Sequence, residues 1–481
     1  MKTKSLFLIA LFCVSCSKQK MVSGENGMVG STSTQASQIG IEILKQGGNA
    51  IDAAAAVGFT LAVTSSSNGN LGGGGFMVTR MANGKTFTLD YREMAPKSAY
   101  KDLFLDSSKN VIKDKSTKTH YASGIPGSVD GLLRAWKDHG SGNISIQQLL
   151  NPAVNYAENG FQLSKYEAKR FNNNKSFLSK HPETKRIFTR DDRNWKRGDI
   201  FYQKDLAETL KRIIKYGRDG FYKGKTADLI VSEMKNVANW ITLEDLDNYT
   251  SEYRKPIRGE FNGLEVISMG PPSSGGILLI MMLNMFTAFG EINDIDVFDL
   301  EFNSSKYVHL ITEIERRAYA DRATHLGDDD FWEVPNEMLL SKNYAQMRVQ
   351  DINANSSTRS GEIKAGDSPF SESEETTHYS VIDKDGNSVS VTTTINSGYG
   401  SGITVTGAGF ILNNEMDDFS SKPGVPNMFG LIGNEANAIE AYKRPLSSMT
   451  PTIVLKNNKP FLILGTPGGS TIITTVFQNI L

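Results

Sequence analysis

The sequence predicts an α+β fold in which two β-sheets lie between outer layers of helices. Two segments, 76–91 and 378–394, each read as a pair of strands joined by a short turn that contains glycine. An alanine-rich segment, 50–63, has the uniform apolar character of a buried helix, and 301–322 has helical periodicity. This mixture of strands and helices suits two sheets that are covered by helices.

The first two predicted helices are separated by a pair of glycines. Gln35–Gln46 is amphipathic and should end at Gly47-Gly48, because glycine readily terminates a helix. Asn49 can then cap a second helix, Ala50–Val63. Beyond Asp52 this second helix carries no charge, which predicts that it is buried.

A glycine run and a hairpin follow. Phe76–Met81 and Lys85–Tyr91 read as strands that flank Asn83-Gly84, a dipeptide typical of tight hairpin turns. The glycines at 72–75 lack the lysine of a phosphate-binding loop and follow no predicted strand, so we interpret them as a place of close backbone packing. Residues 100–260 read mostly as helices and loops.

A polar segment, 353–375, leads into the second hairpin. It has almost nothing to bury and is predicted to be a mobile surface linker. His378–Ile382 then alternates like a strand, Asp385-Gly386 supplies a turn, and Ser388–Thr394 forms the return strand. Thr376 therefore lies where a loose linker meets a rigid strand.

A threonine at that junction becomes a nucleophile if the chain is cut before it. The new N-terminus brings a hydroxyl and an α-amine together in one residue. The reference pKa of an α-amine is about 8, so the amine can act as a base near neutral pH. Taken alone, the pair Thr376-Thr377 is more simply explained as β-branched strand residues.

The N-terminal residues 1–16 read as a targeting segment. Lys2 and Lys4 precede the apolar run Leu6–Val14, which is too short for a permanent membrane span. Cys13-Val14-Ser15-Cys16 resembles a bacterial lipobox that makes Cys16 the lipidated first residue of the mature chain, and ordinary cleavage after Ser15 is the alternative. We expect a lipoprotein anchored in the periplasm of a Gram-negative bacterium.

Composition narrows the possible functions. The 52 basic and 53 acidic residues give no general attraction to nucleic acid. Both cysteines lie in the targeting segment, which excludes a disulfide and a catalytic cysteine in the mature protein. The six histidines lack metal-ligand spacing, so we predict no metal site and no cofactor, and we interpret His378 as structural.

Ten short motifs extend over almost the whole chain. They are GGNAIDAAAAVGFTLAV (47–63), NLGGGGF (70–76), LDYREMAP (89–96), GIPGSVDGL (124–132), GPPSSGGI (270–277), AYADR (318–322), TTHYSVIDKDGNSVSVT (376–392), LNNEMDDF (412–419), KRPLSSMTPTIV (443–454) and GTPGGSTI (465–472). With all of them in this order, the chain resembles γ-glutamyltransferase (γ-glutamyl transpeptidase), a member of the N-terminal nucleophile hydrolases.

The resemblance implies a four-layer αββα sandwich that is made as an inactive precursor. The Thr376 hydroxyl is expected to attack the carbonyl of Glu375, and water then splits the resulting ester. The products are a large subunit, 17–375, and a catalytic small subunit, 376–481, which share one domain. The same hydroxyl is expected to cleave the γ-glutamyl amide of glutathione and to pass the γ-glutamyl group to water, an amino acid or a peptide.

The resemblance also implies the catalytic groups around Thr376. Thr394 matches a second threonine that hydrogen-bonds the nucleophile. Gly468 and Gly469 match an oxyanion hole, in which backbone N–H groups approach a developing negative charge without a Cβ in the way. Without the family, Thr394 reads as a strand residue and the two glycines read as a turn.

A γ-glutamyl donor carries an α-carboxylate and an α-ammonium, and both have matching residues. Arg92 matches a carboxylate-binding arginine, and Ser447 and Ser448 add hydroxyl donors. The residues that match the ammonium site are Asn396, Glu415 and Asp418. In isolation Arg92 reads as a solvated residue at a hairpin end, and Asp417-Asp418 as a polar turn.

Three positions depart from the family pattern. Ser65-Ser66-Ser67 stands where His-Pro is common, and the sequence gives no account of this change. In the predicted lid, 423–437, Phe429 occupies a position that is often tyrosine, so we expect looser closure. The sequence ends earlier than family small subunits do, either because it is a fragment or because part of the core has been lost, and this end is expected to leave the apolar residues of 476–481 exposed: Val476, Phe477, Ile480 and Leu481.

Two other functions remain open at this stage. One is a related amide acylase that acts on poly-γ-glutamate or glutaryl compounds, although the full set of zwitterion-binding residues argues against glutaryl-cephalosporins. The other is a processing-defective binding lipoprotein, which the short C-terminal segment suggests.

Overall fold

The structure is a computed structural model that describes residues 22–363 and 376–481. The predicted targeting segment with Cys16, the later part of the predicted linker and Glu375 lie outside the described residues.

Within the described residues the strands are β1 (Gly27–Gly30), β2 (Gly74–Arg80), β3 (Thr86–Asp90), β4 (Phe161–Gln162), β5 (Ile200–Phe201), β6 (Glu252–Arg254), β7 (Ile257–Phe261), β8 (Leu264–Ser268), β9 (Thr377–Asp383), β10 (Ser388–Thr394), β11 (Thr452–Lys456) and β12 (Lys459–Leu464). The helices are α1 (Thr34–Lys45), α2 (Ala50–Thr64), α3 (Ser128–His139), α4 (Ile146–Asn159), α5 (Lys165–Asn173), α6 (Lys175–Leu178), α7 (Pro182–Phe188), α8 (Lys204–Tyr216), α9 (Asp219–Tyr222), α10 (Gly224–Met234), α11 (Leu243–Asn248), α12 (Gly275–Asn293), α13 (Ser305–His325), α14 (Asn336–Leu340), α15 (Lys342–Val349) and α16 (Ile472–Ile480).

Two antiparallel sheets form the centre of the molecule. The larger has the order β1-β9-β10-β2-β3-β6 and the smaller has the order β12-β11-β8-β7. Both predicted hairpins are present, since β2 pairs with β3 and β9 pairs with β10. Strand β10 also pairs with β2, so the two hairpins lie side by side in one sheet.

The sheets face each other and each is covered by helices on its outer side. Phe76 and Val78 of β2 pack with Ile267 and Ile453 of the smaller sheet, and these contacts fill the space between the sheets. Met77, on the opposite face of β2, belongs to the core that includes α1 and α2. Helices α12, α13, α15 and α16 cover the smaller sheet. This arrangement confirms the four-layer αββα sandwich.

The predicted cap of α2 and its predicted burial are both present. The Asn49 side chain accepts hydrogen bonds from the backbone N–H groups of Ile51 and Asp52, and Asp52 accepts one in return from Asn49. Every residue of α2 is buried, which confirms the interpretation of its uncharged composition. Gly47, at the end of α1, has a φ of +89°, a left-handed conformation that favours glycine.

The glycine run is a place of close backbone packing, as predicted. An added Cβ at Gly72 would lie 2.0 Å from the carbonyl oxygen of Ile411, and one at Gly73 would lie 2.0 Å from that of Thr394. Gly74 and Gly75 begin β2 and face β10. Larger residues here would separate β2 from the strand that carries Thr394.

Helix α13 begins later than the sequence pattern predicts. Ser304 caps it by accepting a hydrogen bond from the backbone N–H of Tyr307, which sets the start at Ser305 rather than at residue 301. The described first part of the predicted linker contacts this helix. The backbone N–H of Thr358 donates to Glu313, and Arg316 donates to the carbonyl of Thr358.

The apolar residues of α16 are buried, so the expectation that they would be exposed is wrong. Val476, Phe477 and Ile480 lie in the core beside α12, and the ring of Phe477 packs edge-on against Phe286. The sequence pattern of α16 shows an apolar face but cannot show which element covers it. Leu481 is partly buried against the same core.

Helix α12 is a core helix. By length and composition it could cross a membrane, but 78% of its apolar window is buried inside the protein. Its apolar character on all sides therefore follows from its position between β7, β8 and the outer helices.

Candidate active site

Thr376 lies immediately before β9 and is 5% exposed. Its carbonyl accepts a hydrogen bond of 3.2 Å from Asn68 Nδ2. The hydroxyl of the next residue, Thr377, lies 2.8 Å from that of Thr32 near the start of α1. The start of β9 is therefore held by residues that precede it by about three hundred positions in the chain.

Thr376 lines two cavities. The first, which we call the donor pocket, is a narrow space of 20 Å³ that collects nearly all of the residues predicted for the site. Its lining comprises Arg92, Thr376, Thr394, Asn396, Glu415, Asp418, Phe429, Leu431, Ser447, Ser448, Met449, Gly469 and Ile472. Of the predicted catalytic and substrate-binding residues, Gly468 alone is not part of that lining.

Arg92 is buried in the donor pocket and is not the solvated hairpin residue that its isolated sequence context suggests. It is 1% exposed and forms ion pairs with Glu415 and Asp418. Burial opposes its charge, but Glu415, Asp418 and Glu93 together hold its pKa above the ordinary value. The residues predicted for the two ends of a zwitterion thus pair with each other.

Glu93 is a pocket neighbour that sequence reasoning missed, although it stands within the motif LDYREMAP. It is completely buried, and neither carboxylate oxygen has a hydrogen-bond partner in the described part of the chain. Its Oε2 lies 3.7 Å from Arg92 Nη1. Burial, only partly offset by Arg92, raises its pKa to about 7. The site therefore holds more carboxylates than Arg92 can balance.

Glu415 carries a second unsatisfied acceptor. One of its oxygens, Oε1, binds Arg92, whereas Oε2 has no hydrogen-bond partner among the described residues. Burial raises the pKa of Glu415, and Glu93 and Asp418 add to the effect. A buried acceptor without a donor is costly, and an ammonium group placed here would satisfy it.

Thr394 and Asn396 lie at the end of β10. Thr394 is opposite Gly74 in the sheet, and its Oγ1 accepts a 2.8 Å hydrogen bond from the backbone N–H of Asn396. Asn396 has a φ of +71°, and its side-chain Nδ2 donates to the carbonyl of Asn414. This turn directs the chain from the sheet into the pocket wall.

Ser447 and Ser448 lie on the opposite wall. The carbonyl of Ser447 accepts hydrogen bonds from the backbone N–H (2.8 Å) and the hydroxyl (2.7 Å) of Ser274. Ser448 Oγ accepts a longer bond of 3.4 Å from Arg322. Both serines are buried and both line the pocket, and Ser447 Oγ accepts a 3.1 Å hydrogen bond from the backbone N–H of Met449.

The loop before α16, where the oxyanion hole is predicted, has a backbone conformation that favours glycine. Gly468 and Gly469 have φ values of +141° and +53°, which favour glycine. The carbonyl of Gly468 accepts from the backbone N–H of Thr471 at 2.9 Å, and Tyr319 donates to the carbonyl of Ser470. The loop is therefore fixed by both its own turn and α13.

The predicted lid, 423–437, lies over the pocket. Asp417 accepts a 2.9 Å hydrogen bond from the backbone N–H of Met428 and a 2.5 Å bond from the Ser116 hydroxyl. Burial raises the pKa of Asp417 to about 6. Phe429 is 4% exposed and lines the pocket. Asp417 thus connects the lid to the large-subunit part of the chain.

His378 is built into the sheets. Its Nδ1 lies 3.0 Å from Thr392 Oγ1 and its Nε2 lies 3.0 Å from Ser380 Oγ. Burial lowers its pKa to about 3, so the ring is neutral at physiological pH. These contacts agree with the structural interpretation of this residue.

The second cavity at Thr376, which we call the outer cavity, was not predicted. It has a volume of 420 Å³ and is lined by Thr32, Ser33, Thr34, Gln35, Thr64, Ser65, Ser66, Ser67, Asn68, Phe161, Ser164, Tyr166, Glu167, Arg170, Phe171, Thr376, Tyr399 and Pro467. Arg170 donates a 2.9 Å hydrogen bond to Asn68, which itself bonds the Thr376 carbonyl. The three serines that depart from the family pattern belong to this cavity, and their spacing alone gave no sign of it.

The chain matches a known protein family over most of its length. The family described as gamma-glutamyltranspeptidase matches residues 36–481. The glutathione hydrolase proenzyme of Escherichia coli K12 is 46% identical over 460 residues, which are 95% of this chain and 78% of the relative.

Solved structures are similar as well. The gamma-glutamyltranspeptidase of Helicobacter pylori has a TM-score of 0.68 at 40% identity, over 72% of this chain and 97% of that one. A cephalosporin acylase from Bacillus halodurans has a TM-score of 0.79 at 24% identity, over 99% of this chain and 83% of that one. At that identity the acylase supports the fold alone.

We predict that His378→Gln changes how stability depends on pH. Between pH 6.5 and about 3 the unfolded histidine binds a proton that the buried ring does not, so its contribution to stability is lost as pH falls. The variant should melt below the wild type at pH 7.5, yet lose less stability on acidification.

The measurement is the thermal midpoint at intervals from pH 7.5 to 4.5, with His325→Gln on α13, a histidine that is also partly exposed, as the control. Over the measured range the difference between His378→Gln and wild type should shrink by up to about 2.7 kcal/mol, because about two pH units of that range lie below 6.5 and one pKa unit corresponds to about 1.36 kcal/mol. Parallel pH curves for the two proteins would contradict the prediction.

Proposed function

The chain belongs to the gamma-glutamyltranspeptidase family, and on that premise we propose that Thr376 is both its processing and its catalytic nucleophile. The protein is an autoprocessing γ-glutamyltransferase and glutathione hydrolase. The observation that carries the assignment of Thr376 is its position in one pocket with a buried arginine, two serines and an excess of carboxylates. Such a pocket is complementary to a donor that has an α-carboxylate and an α-ammonium.

Processing requires only groups of the chain and one water. The Thr376 hydroxyl oxygen attacks the carbonyl carbon of Glu375, the peptide C–N bond breaks, and the nitrogen becomes the free α-amine of Thr376. Water then hydrolyses the ester, leaving the carboxylate of Glu375 and regenerating the hydroxyl.

Turnover uses the same oxygen. The α-amine takes the hydroxyl proton as the oxygen attacks the γ-carbonyl of the donor, and the backbone N–H groups at Gly468 and Gly469 bind the oxyanion. The leaving amine receives the proton as the C–N bond breaks. Water or an acceptor amine then attacks the γ-glutamyl ester and releases Thr376.

Donor binding exchanges internal ion pairs for new ones. The α-carboxylate binds the fork of Arg92 and the hydroxyls of Ser447 and Ser448. The α-ammonium lies between Glu415, Asp418 and Asn396, where Glu415 Oε2 offers an unsatisfied acceptor. A glutaryl group has no ammonium to balance these buried carboxylates, so the pocket favours a γ-glutamyl donor over a glutaryl one.

The outer cavity supports a role in acceptor binding. A donor held in the donor pocket leaves the other side of Thr376 free, and that side opens into the outer cavity. Arg170 lies there and reaches the carbonyl of Thr376 through Asn68. We propose that Arg170 binds the carboxylate of an amino-acid or peptide acceptor so that its amine approaches the ester.

We further propose that the protein is a periplasmic lipoprotein anchored through Cys16. The support is the basic and apolar N-terminal segment with its lipobox-like ending. Cys16→Ala should move the protein from the membrane fraction to the soluble fraction. Membrane association that persists in this variant would contradict the anchor, and release of the wild type on cell fractionation would favour cleavage after Ser15.

We predict that Thr376→Ala yields one uncut chain without γ-glutamyl hydrolase activity, because one hydroxyl serves both reactions. Thr376→Ser retains a hydroxyl and should still be cut. Denaturing gels and release of p-nitroaniline from γ-glutamyl-p-nitroanilide measure the two steps. The neighbouring Thr377→Ala, as control, should still be processed. Two subunits from Thr376→Ala would disprove the assignment.

We predict that Arg170→Ala reduces transfer to a dipeptide acceptor about tenfold, the loss expected for one charge-assisted contact of about 1.4 kcal/mol. Hydrolysis in the absence of acceptor should stay within twofold of wild type. The exposed Arg197→Ala is the control. An equal fall in hydrolysis and transfer would mean that Arg170 acts on Thr376 through Asn68 instead.

A further inference from the structure

Arg322 of α13 is a buried cation behind the donor pocket. It is 4% exposed, and within residues 22–363 and 376–481 no carboxylate forms an ion pair with it. Arg317, five residues earlier on the same helix, pairs with Glu313 and Asp351. Because an unpaired buried guanidinium is costly, its position calls for a different explanation from that of Arg317.

The hydrogen bonds of Arg322 lead to both predicted carboxylate-binding serines. Its Nη2 donates to Ser448 Oγ at 3.4 Å. Its Nε donates to Ser274 Oγ at 3.0 Å, and Ser274 Oγ donates onward to the carbonyl of Ser447 at 2.7 Å. Arg322 therefore contacts Ser448 directly and holds the backbone of Ser447 through Ser274.

These contacts set the direction of the Ser448 hydroxyl. A serine hydroxyl has one hydrogen to donate and can accept in its lone pairs. When Ser448 Oγ accepts from Arg322, its own hydrogen is left for another acceptor. Since Ser448 lines the donor pocket, that hydrogen is available to an anion in the pocket.

The charges support the same conclusion. Arg92 is paired with two carboxylates, Glu415 and Asp418, which leaves this group of three with one excess negative charge. Arg322 offsets part of the excess negative charge, to which the buried Glu93 beside Arg92 also contributes. Burial lowers the pKa of Arg322, whereas Tyr319 and Asp418 favour its charged form. Removing Arg322 would make the surroundings of the pocket more negative and so disfavour an incoming carboxylate.

We propose that Arg322 is a positioning residue for the α-carboxylate of the γ-glutamyl donor, acting through Ser448 and Ser274. The proposal rests on the donor site described under the proposed function. Arg322 does not line the pocket and takes no part in proton transfer. It orients the hydroxyl of Ser448, fixes the backbone of Ser447, and supplies the positive charge that a second anion in the pocket requires.

The experiment tests recognition of the α-carboxylate separately from recognition of the rest of the ligand. Wild type, Arg322→Gln, Arg322→Lys, Ser274→Ala and Ser448→Ala are compared after processing, with γ-glutamyl-p-nitroanilide as donor. L-glutamate and 4-aminobutanoate, which lacks the α-carboxylate, are the competing ligands. Arg348→Gln is the control, because Arg348 binds Asp321 next to Arg322 but does not contact the pocket serines.

Arg322→Gln should raise the KM for the donor and the inhibition constant of L-glutamate at least tenfold. The inhibition constant of 4-aminobutanoate should change less than twofold, and kcat less than threefold. Arg322→Lys should recover part of the loss, and Ser274→Ala should show a smaller rise of about threefold. Arg348→Gln should lower the thermal midpoint without altering either inhibition constant.

Equal weakening of both ligands, or an unchanged KM, in Arg322→Gln would reduce Arg322 to a purely structural residue. If Arg322→Gln does not fold or is not processed, the test rests on Arg322→Lys and Ser274→Ala. An unchanged inhibition constant of L-glutamate in both of these variants would overturn the proposal. An inactive wild type would instead reject the proposed function. An active wild type with unchanged KM in Ser448→Ala would reject the serine assignment and the proposal with it.

Discussion

The antiparallel pairing of β10 with both β9 and β2 is the constraint on which the active site depends. It places Thr376, just before β9, close to Thr394 at the end of β10. It also explains Gly73 and Gly75, because the carbonyls of Thr394 and Thr392 in β10 approach the positions where a Cβ would otherwise stand. Close backbone packing, rather than a ligand, therefore accounts for the most glycine-rich part of the chain.

The donor pocket is arranged around buried charges that partly satisfy one another. Arg92, Glu415 and Asp418 are buried ion pairs, which contribute little to stability because desolvation offsets their attraction. These ion pairs matter because a bound ligand can replace them with ion pairs of its own. A zwitterion brings one group of each sign, so it can replace the internal pairs without adding net charge to the interior. Glu93, whose carboxylate has no hydrogen-bond donor among the described residues, adds a further buried negative charge beside Arg92.

Sequence reasoning succeeded where the determining contacts are local. The Asn49 cap, both hairpins and the burial of α2 follow from neighbouring residues. It failed where the partner is distant in the chain. The burial of Phe477 depends on α12, about two hundred residues earlier, and the outer cavity combines segments near residues 32, 65, 170 and 399. Glu93 and Arg322 stand in recognised motifs, but only their tertiary neighbours show what they contact.

The larger sheet has a consequence for the cut protein. Strands β9 and β10 follow Thr376 in the chain, whereas β1, β2, β3 and β6 precede it, and the pair β9-β10 lies between β1 and β2 in one hydrogen-bonded ladder. Breaking the peptide bond before Thr376 removes no rung of that ladder. If the chain is cut there, as proposed, the two pieces can part only when the sheet unfolds, so pieces once paired should not exchange between molecules.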